Sequence, residues 1–231
     1  MSLSGPLCNT AADSTRPEGG FRAIRTRRHE RPLGVARSSR DLCGDHAEVT
    51  PSADLRKRLK AAFVHRGDRT DARSLADVTG WWRDPRLLAD LGPALGSLIP
   101  DAQPSVVLAP QSRGAMLGAL VATTLRVGLV EVRKDEEPLA DSDAWLTRTT
   151  PPDYRDRQLS LGFRRSLIQS GDRVLFIDDW IETGSQALAS QALVQAAGAT
   201  WCGAAVVVDG LTGGRVRRDL ALGSLMHLRD L

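Results

Sequence analysis

The amino-acid sequence predicts an α/β protein with a mainly parallel central sheet that is covered by helices on both faces. Short apolar runs, which are typical of buried strands, alternate with segments of helical composition. The predicted strands are residues 105–109, 129–132, 174–177 and 201–209. Helical segments between them include residues 115–125 and 187–197. Uninterrupted apolar runs favour a parallel sheet, because its strands are buried on both faces.

Length and composition limit the possible classes of protein. The chain has 231 residues, of which 42% are hydrophobic, and this is enough for one domain with a substantial core. No apolar run approaches the roughly 20 residues that cross a bilayer, and the first residues lack the apolar segment of a secretory signal. We therefore expect a cytoplasmic protein without membrane association. The three cysteines share no close spacing, so neither a disulfide framework nor a zinc site is indicated.

The first 50 residues differ in composition from the rest of the chain. They are predicted to be a disordered, Arg-rich extension of a domain that spans residues 51–231. They hold 8 of the 31 basic and 6 of the 28 acidic residues, which leaves 23 basic and 22 acidic residues for the domain. The extension is either a solvated tail or a basic arm for a partner. Nucleic-acid binding by the nearly neutral domain is not expected.

Two helical segments precede the first predicted strand of the sheet. Apolar residues recur at helical spacing over residues 55–63, and Ser52 is positioned to cap this helix. A second helix begins at Asp84 with Pro85 in its first turn, where proline is tolerated. Pro93 is expected to break or kink it.

Two cationic positions follow the ends of the next two strands. Residues 110–114 read Pro-Gln-Ser-Arg-Gly, in which a guanidinium and a closely approaching backbone can meet one anion. An ordinary strand-to-helix turn is the alternative. Arg133 and Lys134 can meet a diphosphate or be solvated. The charged residues 135–157 after them show no clear period, which predicts a functional or disordered loop.

The most informative stretch is residues 174–186. An apolar strand runs into Asp178 and Asp179, and a Thr-Gly-Ser turn then opens a helix. Backbone amides at the start of a helix bind a phosphate. The two carboxylates accept hydrogen bonds only and would repel that phosphate unless they faced another part of the ligand, such as a sugar diol. Phosphate on one side and a diol on the other describe a ribose 5-phosphate.

This stretch closely resembles the phosphoribosyl diphosphate (PRPP) motif of type I phosphoribosyltransferases. From about residue 63 to the C-terminus, the order of segments is similar to that of the adenine phosphoribosyltransferases. The matching segments are a hood element, the Ser-Arg-Gly loop, the Val-Arg-Lys strand end, a flexible loop and the PRPP motif. The resemblance implies the type I phosphoribosyltransferase fold with a small hood over the base, and a homodimer.

The resemblance also implies roles for individual residues. Asp178 and Asp179 would hold the ribose hydroxyls, and Asp153 falls where the family has a Glu that handles a proton on the base; these three form the catalytic set. The 5-phosphate would be held by Glu182, Thr183, Gly184, Ser185 and Gln186. The diphosphate would be held by Ser112, Arg113, Gly114, Arg133 and Lys134, in a loop that often contains a non-proline cis peptide. The hood residues would be Leu75, Ala76 and Asp77.

The implied reaction moves 5-phosphoribosyl from PRPP to a purine or related nitrogenous base and releases diphosphate. Magnesium would be bound mainly through PRPP, with no ligand directly from the protein. The alternative is a non-catalytic regulator that senses PRPP or a nucleotide. It is motivated by the acidic residues 135–137, by the Arg-rich extension, and by a hood that reads Leu-Ala-Asp where the family has Phe-Arg-Asp.

The PRPP motif itself departs from the family at three positions. Glu182 and Gln186 stand where Ala and Thr are more frequent. Trp180 follows the acid pair directly, and we expect it to pack below the loop or at a subunit contact. Stacking on the base is the alternative.

Overall fold

The computed structural model describes residues 53–67, 75–134, 144–152 and 157–231. The predicted extension over residues 1–50, the acidic run 135–137 and the candidate catalytic residue Asp153 lie outside this part of the chain.

The described residues form two sheets and a set of helices around them. In chain order the strands are β1 (Val64–Arg66), β2 (Leu75–Asp77), β3 (Val106–Pro110), β4 (Gly128–Lys134), β5 (Trp145–Thr149), β6 (Ser160–Arg164), β7 (Arg173–Ile181), β8 (Thr200–Asp209) and β9 (Leu222–His227). The α-helices are α1 (Ala53–Ala61), α2 (Gly80–Arg83), α3 (Pro85–Gly96), α4 (Arg113–Leu125), α5 (Ser185–Ala196) and α6 (Gly214–Asp219).

The central sheet has seven strands in the order β5-β6-β4-β3-β7-β8-β9. Neighbours from β4 to β9 pair in parallel, whereas β6 pairs antiparallel with both β4 and β5. The parallel strands run in one direction, so their carboxyl ends lie at the same edge of the sheet. The prediction of an α/β protein with a mainly parallel sheet is confirmed.

Alternate residues of the central strands enter two separate cores. On β3, Val107 and Ala109 join the core that contains helices α1 to α4, whereas Val106 and Leu108 join the core that contains α5. This alternation follows from the two-residue period of a strand. It confirms that helices cover both faces of the sheet.

The hood is a separate two-stranded antiparallel sheet of β1 and β2. Its end is fixed by Asp77, whose Oδ1 accepts hydrogen bonds from the N–H of Thr79 at 2.9 Å and from its hydroxyl at 2.6 Å. Arg66 forms an ion pair with the same carboxylate. These hydrogen bonds and this ion pair stabilise the connection between β2 and α2.

Three local predictions are wrong. Strand β7 does not end before the acids, because Asp178 and Trp180 still pair with Val206 and Val208 of β8. Strand β5 lies inside the stretch that was predicted as a loop. Its own sequence does not indicate a strand, and pairing with β6 stabilises it. Helix α3 is not broken at Pro93, since it runs from Pro85 to Gly96 with Pro93 inside it, and the kink that a proline can cause there stays a prediction.

None of the helices in the described part of the chain is both long and apolar enough to cross a membrane.

Candidate active site

A cleft of about 550 Å³ opens at the carboxyl ends of the central strands. Its lining comes from the hood, the loop after β3, the end of β4, the residues before β6, the end of β7 with the start of α5, and Leu228 after β9. These parts are distant in sequence. The parallel sheet brings the loop after β3, the end of β4 and the turn after β7 together, because these three strands end at the same edge, whereas the hood belongs to a separate sheet.

The two carboxylates of the PRPP motif lie side by side in this cleft. Asp178 is 8% exposed and Asp179 is 6% exposed. The N–H of Asp179 donates to Asp178 Oδ1 at 2.8 Å. Burial, reinforced by the neighbouring carboxylate of Asp179, raises the pKa of Asp178 well above its usual value, and the charge of Lys134 offsets this only in part. The Asp178 carboxyl is therefore harder to ionise than a carboxyl in water.

Arg113 connects the loop after β3 to the acid pair. Its Nε lies 2.9 Å from Asp179 Oδ2, and its side chain is 45% exposed. The pair is electrostatic, since this buried oxygen has no aligned hydrogen-bond donor within the described residues. Asp179 Oδ2 thus retains hydrogen-bond acceptor capacity.

The loop that carries Arg113 approaches the acids closely. The peptide between Gln111 and Ser112 is cis, as the resemblance implied. The side chain of Gln111 accepts a hydrogen bond from the N–H of Lys134 at 3.2 Å, which links this loop to β4. A Cβ on Gly114 would lie 2.8 Å from Pro110 Cδ and 2.9 Å from Asp178 Oδ1. Glycine is therefore required for the start of α4 to lie against the carboxylate.

The predicted 5-phosphate loop is the turn between β7 and α5. The hydroxyls of Thr183 and Ser185 lie 3.0 Å apart, and the Ser185 N–H donates to Thr183 Oγ1 at 3.3 Å. Gly184 has a φ of +80°, a conformation that glycine adopts readily. Helix α5 has no acidic residue in its first turn. Its positive end faces the cleft and suits a phosphate.

The remaining predicted residues of this loop differ in burial. Glu182 is exposed at the rim of the cleft, whereas Gln186 is half-buried on the first turn of α5. Burial leaves Gln186 Oε1 without a hydrogen-bond partner within the described residues. The amide of Gln186 therefore has unused hydrogen-bonding capacity in the cleft.

Only one of the two predicted cations at the end of β4 faces the cleft. Lys134 lines it, but Arg133 does not. Arg133 occupies the preceding position of the strand, and its Nε lies 3.9 Å from Glu131 Oε2. Successive residues of a strand point to opposite sides, which separates the two cations. The diphosphate role of Arg133 remains a prediction.

The hood residues are placed in different surroundings. Ala76 lines the cleft, whereas Asp77 is engaged with Thr79 and Arg66. Leu75 begins β2, and its backbone pairs with Arg66.

The structure adds cleft residues that the sequence did not indicate. They include His65, Gln111, Arg157, Leu159 and Leu228. His65 lies on a three-residue strand, which is too short to show a period. Arg157 ends a charged segment with no period of its own. Gln111 belongs to the predicted loop 110–114, and its position before Ser112 was the signal that could have found it.

An acid pair at the end of a parallel strand, followed by a phosphate loop and faced by a second anion loop, defines a type I phosphoribosyltransferase. The sequence is 33% identical to an adenine phosphoribosyltransferase of Streptomyces coelicolor over 147 residues, which are 63% of this chain and 78% of that protein. The chain belongs to the adenine phosphoribosyltransferase family.

Other relatives agree with this assignment. An adenine phosphoribosyltransferase of Maricaulis maris is 38% identical over 117 residues, which are 51% of this chain and 64% of that protein. The crystal structure of the Rhodothermus marinus adenine phosphoribosyltransferase superposes with a TM-score of 0.65 at 28% identity, covering 77% of this chain and all of the other. No family model matches the sequence.

Proposed function

We propose that the chain transfers the 5-phosphoribosyl group of PRPP to a ring nitrogen of adenine or a related purine base, with release of diphosphate. One observation carries this proposal. The acid pair, the 5-phosphate loop and the Arg113 loop, which are distant in sequence, converge on one cleft. A sugar diol, a phosphate and a diphosphate therefore find complementary groups in a single site.

The acid pair acts on the ribose in this proposal. Asp178 and Asp179 accept hydrogen bonds from the two ribose hydroxyls. As the bond between the anomeric carbon and diphosphate breaks, positive charge develops on the ring, and the nearby carboxylates stabilise it. The base nitrogen then forms the new bond to that carbon and loses its proton. Asp153, outside the described residues, is proposed to handle this proton.

The leaving diphosphate is held by the opposite side of the cleft. Arg113 supplies a forked cation and Lys134 a point charge, while Gly114 lets the backbone at the start of α4 approach. Arg113 is already oriented by Asp179, so it needs little reorganisation to meet the incoming anion.

Magnesium is proposed to enter with PRPP. No group of three or more Asp, Glu, His or Cys side chains suited to a metal occurs among the described residues. Because the acid pair is proposed to hold the ribose hydroxyls, the cleft suits an ion that would be coordinated mainly by oxygens of PRPP rather than by the protein. When bound, magnesium would neutralise charge on the diphosphate oxygens. A cytoplasmic homodimer is likewise proposed on the basis of the family.

The test is an assay of diphosphate release with magnesium, PRPP and a panel of purine bases. We expect turnover with adenine or a related purine and none without a base. A folded protein that releases no diphosphate with any purine would overturn the proposal. The regulatory alternative is not favoured, because the relatives are named as transferases. PRPP binding without turnover would restore it.

A further inference from the structure

The 5-phosphate loop packs against a part of the chain outside the cleft lining. A Cβ added at Gly184 would lie 2.7 Å from Val216 Cγ1 on α6, 3.6 Å from Leu211 Cδ2 and 3.8 Å from Leu220 Cδ1. None of these three neighbours is among the described residues that line the cleft. Val216 and Leu211 are half-buried and Leu220 is buried, and all three pack in the core that contains α5. The loop is therefore supported by α6 and by the segment that leads into it.

Helix α6 needs outside contacts to keep this position. It has six residues, and a helix of this length is not stable by itself. Its carboxyl end is held by Gln191, whose Nε2 donates to the carbonyl of Asp219 at 2.9 Å, and by Trp201, whose Nε1 donates to the carbonyl of Leu220 at 3.0 Å. The segment before the helix, residues 210–213, requires a different attachment.

Arg217 and Asp209 supply this second attachment. Arg217 Nε donates to Asp209 Oδ2 at 2.7 Å, and Nη2 donates to Asp209 Oδ1 at 3.1 Å and to the carbonyl of Leu211 at 2.9 Å. Asp209 Oδ1 also accepts a hydrogen bond from the Leu211 N–H at 2.9 Å, and His227 Nδ1 lies 3.5 Å from Oδ2. Asp209 is 3% exposed. Because a bidentate pair has a defined geometry, it fixes the orientation of α6 relative to the end of β8.

Asp209 also lies directly beside the strand that carries the loop. It is the partner of Ile181 in the parallel pairing of β7 with β8. The N–H of the next residue, Gly210, donates to the carbonyl of Ile181 at 2.7 Å. The 5-phosphate loop begins at Glu182, immediately after this bond. Its start is thus held by the end of β8 and its middle by α6, and the ion pair of Asp209 with Arg217 joins the two supports.

We propose that Asp209 and Arg217 are positioning residues for the 5-phosphate loop. Their ion pair holds Leu211 and Val216 against Gly184, so that the backbone amides of residues 183–186 are oriented before the phosphate arrives. Neither Asp209 nor Arg217 is among the described residues that line the cleft, so their effect on the ligand is indirect. The inference rests on the proposed function, because it concerns the loop that would bind the 5-phosphate.

Loss of the ion pair should weaken only one part of PRPP binding. Without it, the loop has to be ordered when the phosphate binds, and this ordering lowers the affinity. On the diphosphate side, Arg113 is oriented by Asp179 instead. A ligand that carries only the 5-phosphate and a ligand that is only the diphosphate should therefore respond differently to the same substitution.

The test titrates ribose 5-phosphate, and inorganic diphosphate with magnesium, separately into the full chain by calorimetry, which needs no turnover. Arg217→Met keeps an aliphatic side chain and removes the ion pair. Its affinity for ribose 5-phosphate should fall by at least about fivefold, while its affinity for diphosphate stays within about twofold. Arg217→Lys keeps the charge and should restore part of the lost affinity. In the diphosphate-release assay, Arg217→Met should raise the KM for PRPP and leave kcat within about twofold.

Two further variants separate positioning from a general loss of stability. Val216→Ala keeps the ion pair but removes the methyl group nearest to Gly184, and it should weaken ribose 5-phosphate binding by about threefold without changing diphosphate binding. It decides the question if Arg217→Met does not fold. Arg218→Met is the matched control, because Arg218 is exposed on the same helix and does not line the cleft. It should change neither affinity.

The outcomes distinguish this inference from the proposed function. Affinities for ribose 5-phosphate that stay within about twofold of the wild type in both Arg217→Met and Val216→Ala would overturn the inference, even if diphosphate is released with a purine. An equal loss of affinity for both ligands would also overturn it, because that result indicates a general loss of structure. A loss confined to ribose 5-phosphate would support the inference even if no purine gives turnover.

Discussion

The Asp178 carboxylate is almost completely buried, and the next residue in the chain, Asp179, carries a second carboxylate. Both effects raise the pKa of Asp178 in the native state above the value of 3.8 that it has in water. The ionised form is therefore less stable in the fold than in the unfolded chain. This penalty is absent below the unfolded-state pKa, grows as the pH rises, and is complete above the native-state pKa.

Replacing Asp178 by Asn should accordingly stabilise the protein and inactivate it. At pH 7 the melting temperature of Asp178→Asn is expected to exceed that of the wild type, and the difference should shrink as the pH is lowered towards 4. Its kcat/KM should fall by at least about 100-fold, as for the loss of a preorganised electrostatic group. Thermal unfolding over this pH range, combined with the diphosphate assay, checks both parts. A lower melting temperature of the variant at pH 7 would contradict the inference that the ionised Asp178 carboxylate destabilises the fold.

Arg113 is expected to contribute little to the stability of the fold and much to the binding of PRPP. Because its side chain is 45% exposed, water screens the ion pair with Asp179, and Arg113→Met should destabilise the fold by about 1 kcal/mol or less. Loss of a charged hydrogen-bonding partner should raise the KM for PRPP by at least about tenfold.

Chemical denaturation and steady-state kinetics measure these two effects separately. Arg215→Met is the matched control, because Arg215 is 89% exposed, pairs with Asp219 on α6 and does not line the cleft. It should leave stability and KM nearly unchanged. An unchanged KM for PRPP in Arg113→Met would remove Arg113 from the diphosphate site.

At the scale of elements, the contact between the start of α4 and the end of β7 decides whether the two anion loops share one cleft. Gly114→Ala would place a methyl group within 3 Å of the Pro110 ring and of Asp178 Oδ1, so that the ring at the end of β3 or the carboxylate would have to shift. We expect a destabilisation of about 1–3 kcal/mol, as for other overpacked sites, together with a higher KM for PRPP.

Gly213→Ala provides the comparison for this substitution. A Cβ at Gly213, which precedes α6, would have nothing within 4 Å, and its φ of −106° suits any residue. Its unfolding free energy should therefore remain within about 1 kcal/mol of the wild type. Equal effects of the two alanines in denaturant titrations would show that the close approach at Gly114 is not required.

The same elements show how far the sequence alone can lead. The loop at residues 110–114 and the turn at 182–186 could be predicted, because a strand, a set of small or charged residues and a helix follow one another locally. That Lys134 rather than Arg133 faces the cleft could not be predicted, because alternation along β4 separates the two cations but the packing of the sheet decides which side faces the cleft. The ring contacts of Phe63 with His65 and Trp180 could not be predicted either, because they join two parts of the chain that are distant in sequence.

At the scale of the whole molecule, the parallel sheet brings the groups of the site together. Strands β3, β4 and β7 end at one edge, and each delivers a different group, namely an arginine loop, a lysine and an acid pair. The antiparallel hairpin of β5 and β6 extends the sheet beyond β4. The described cleft residues all lie between His65 and Leu228.

This distribution predicts that residues 1–50 are dispensable for the chemistry. A variant that begins at residue 51 should retain kcat and both KM values within about threefold, because each described cleft residue and both hydrophobic cores lie in the part that remains. Diphosphate release by the two chains, at equal concentrations of folded protein, measures this. A loss of kcat with unchanged KM for PRPP would show instead that the Arg-rich segment takes part in turnover, and a change in KM for PRPP alone would place its arginines near the donor.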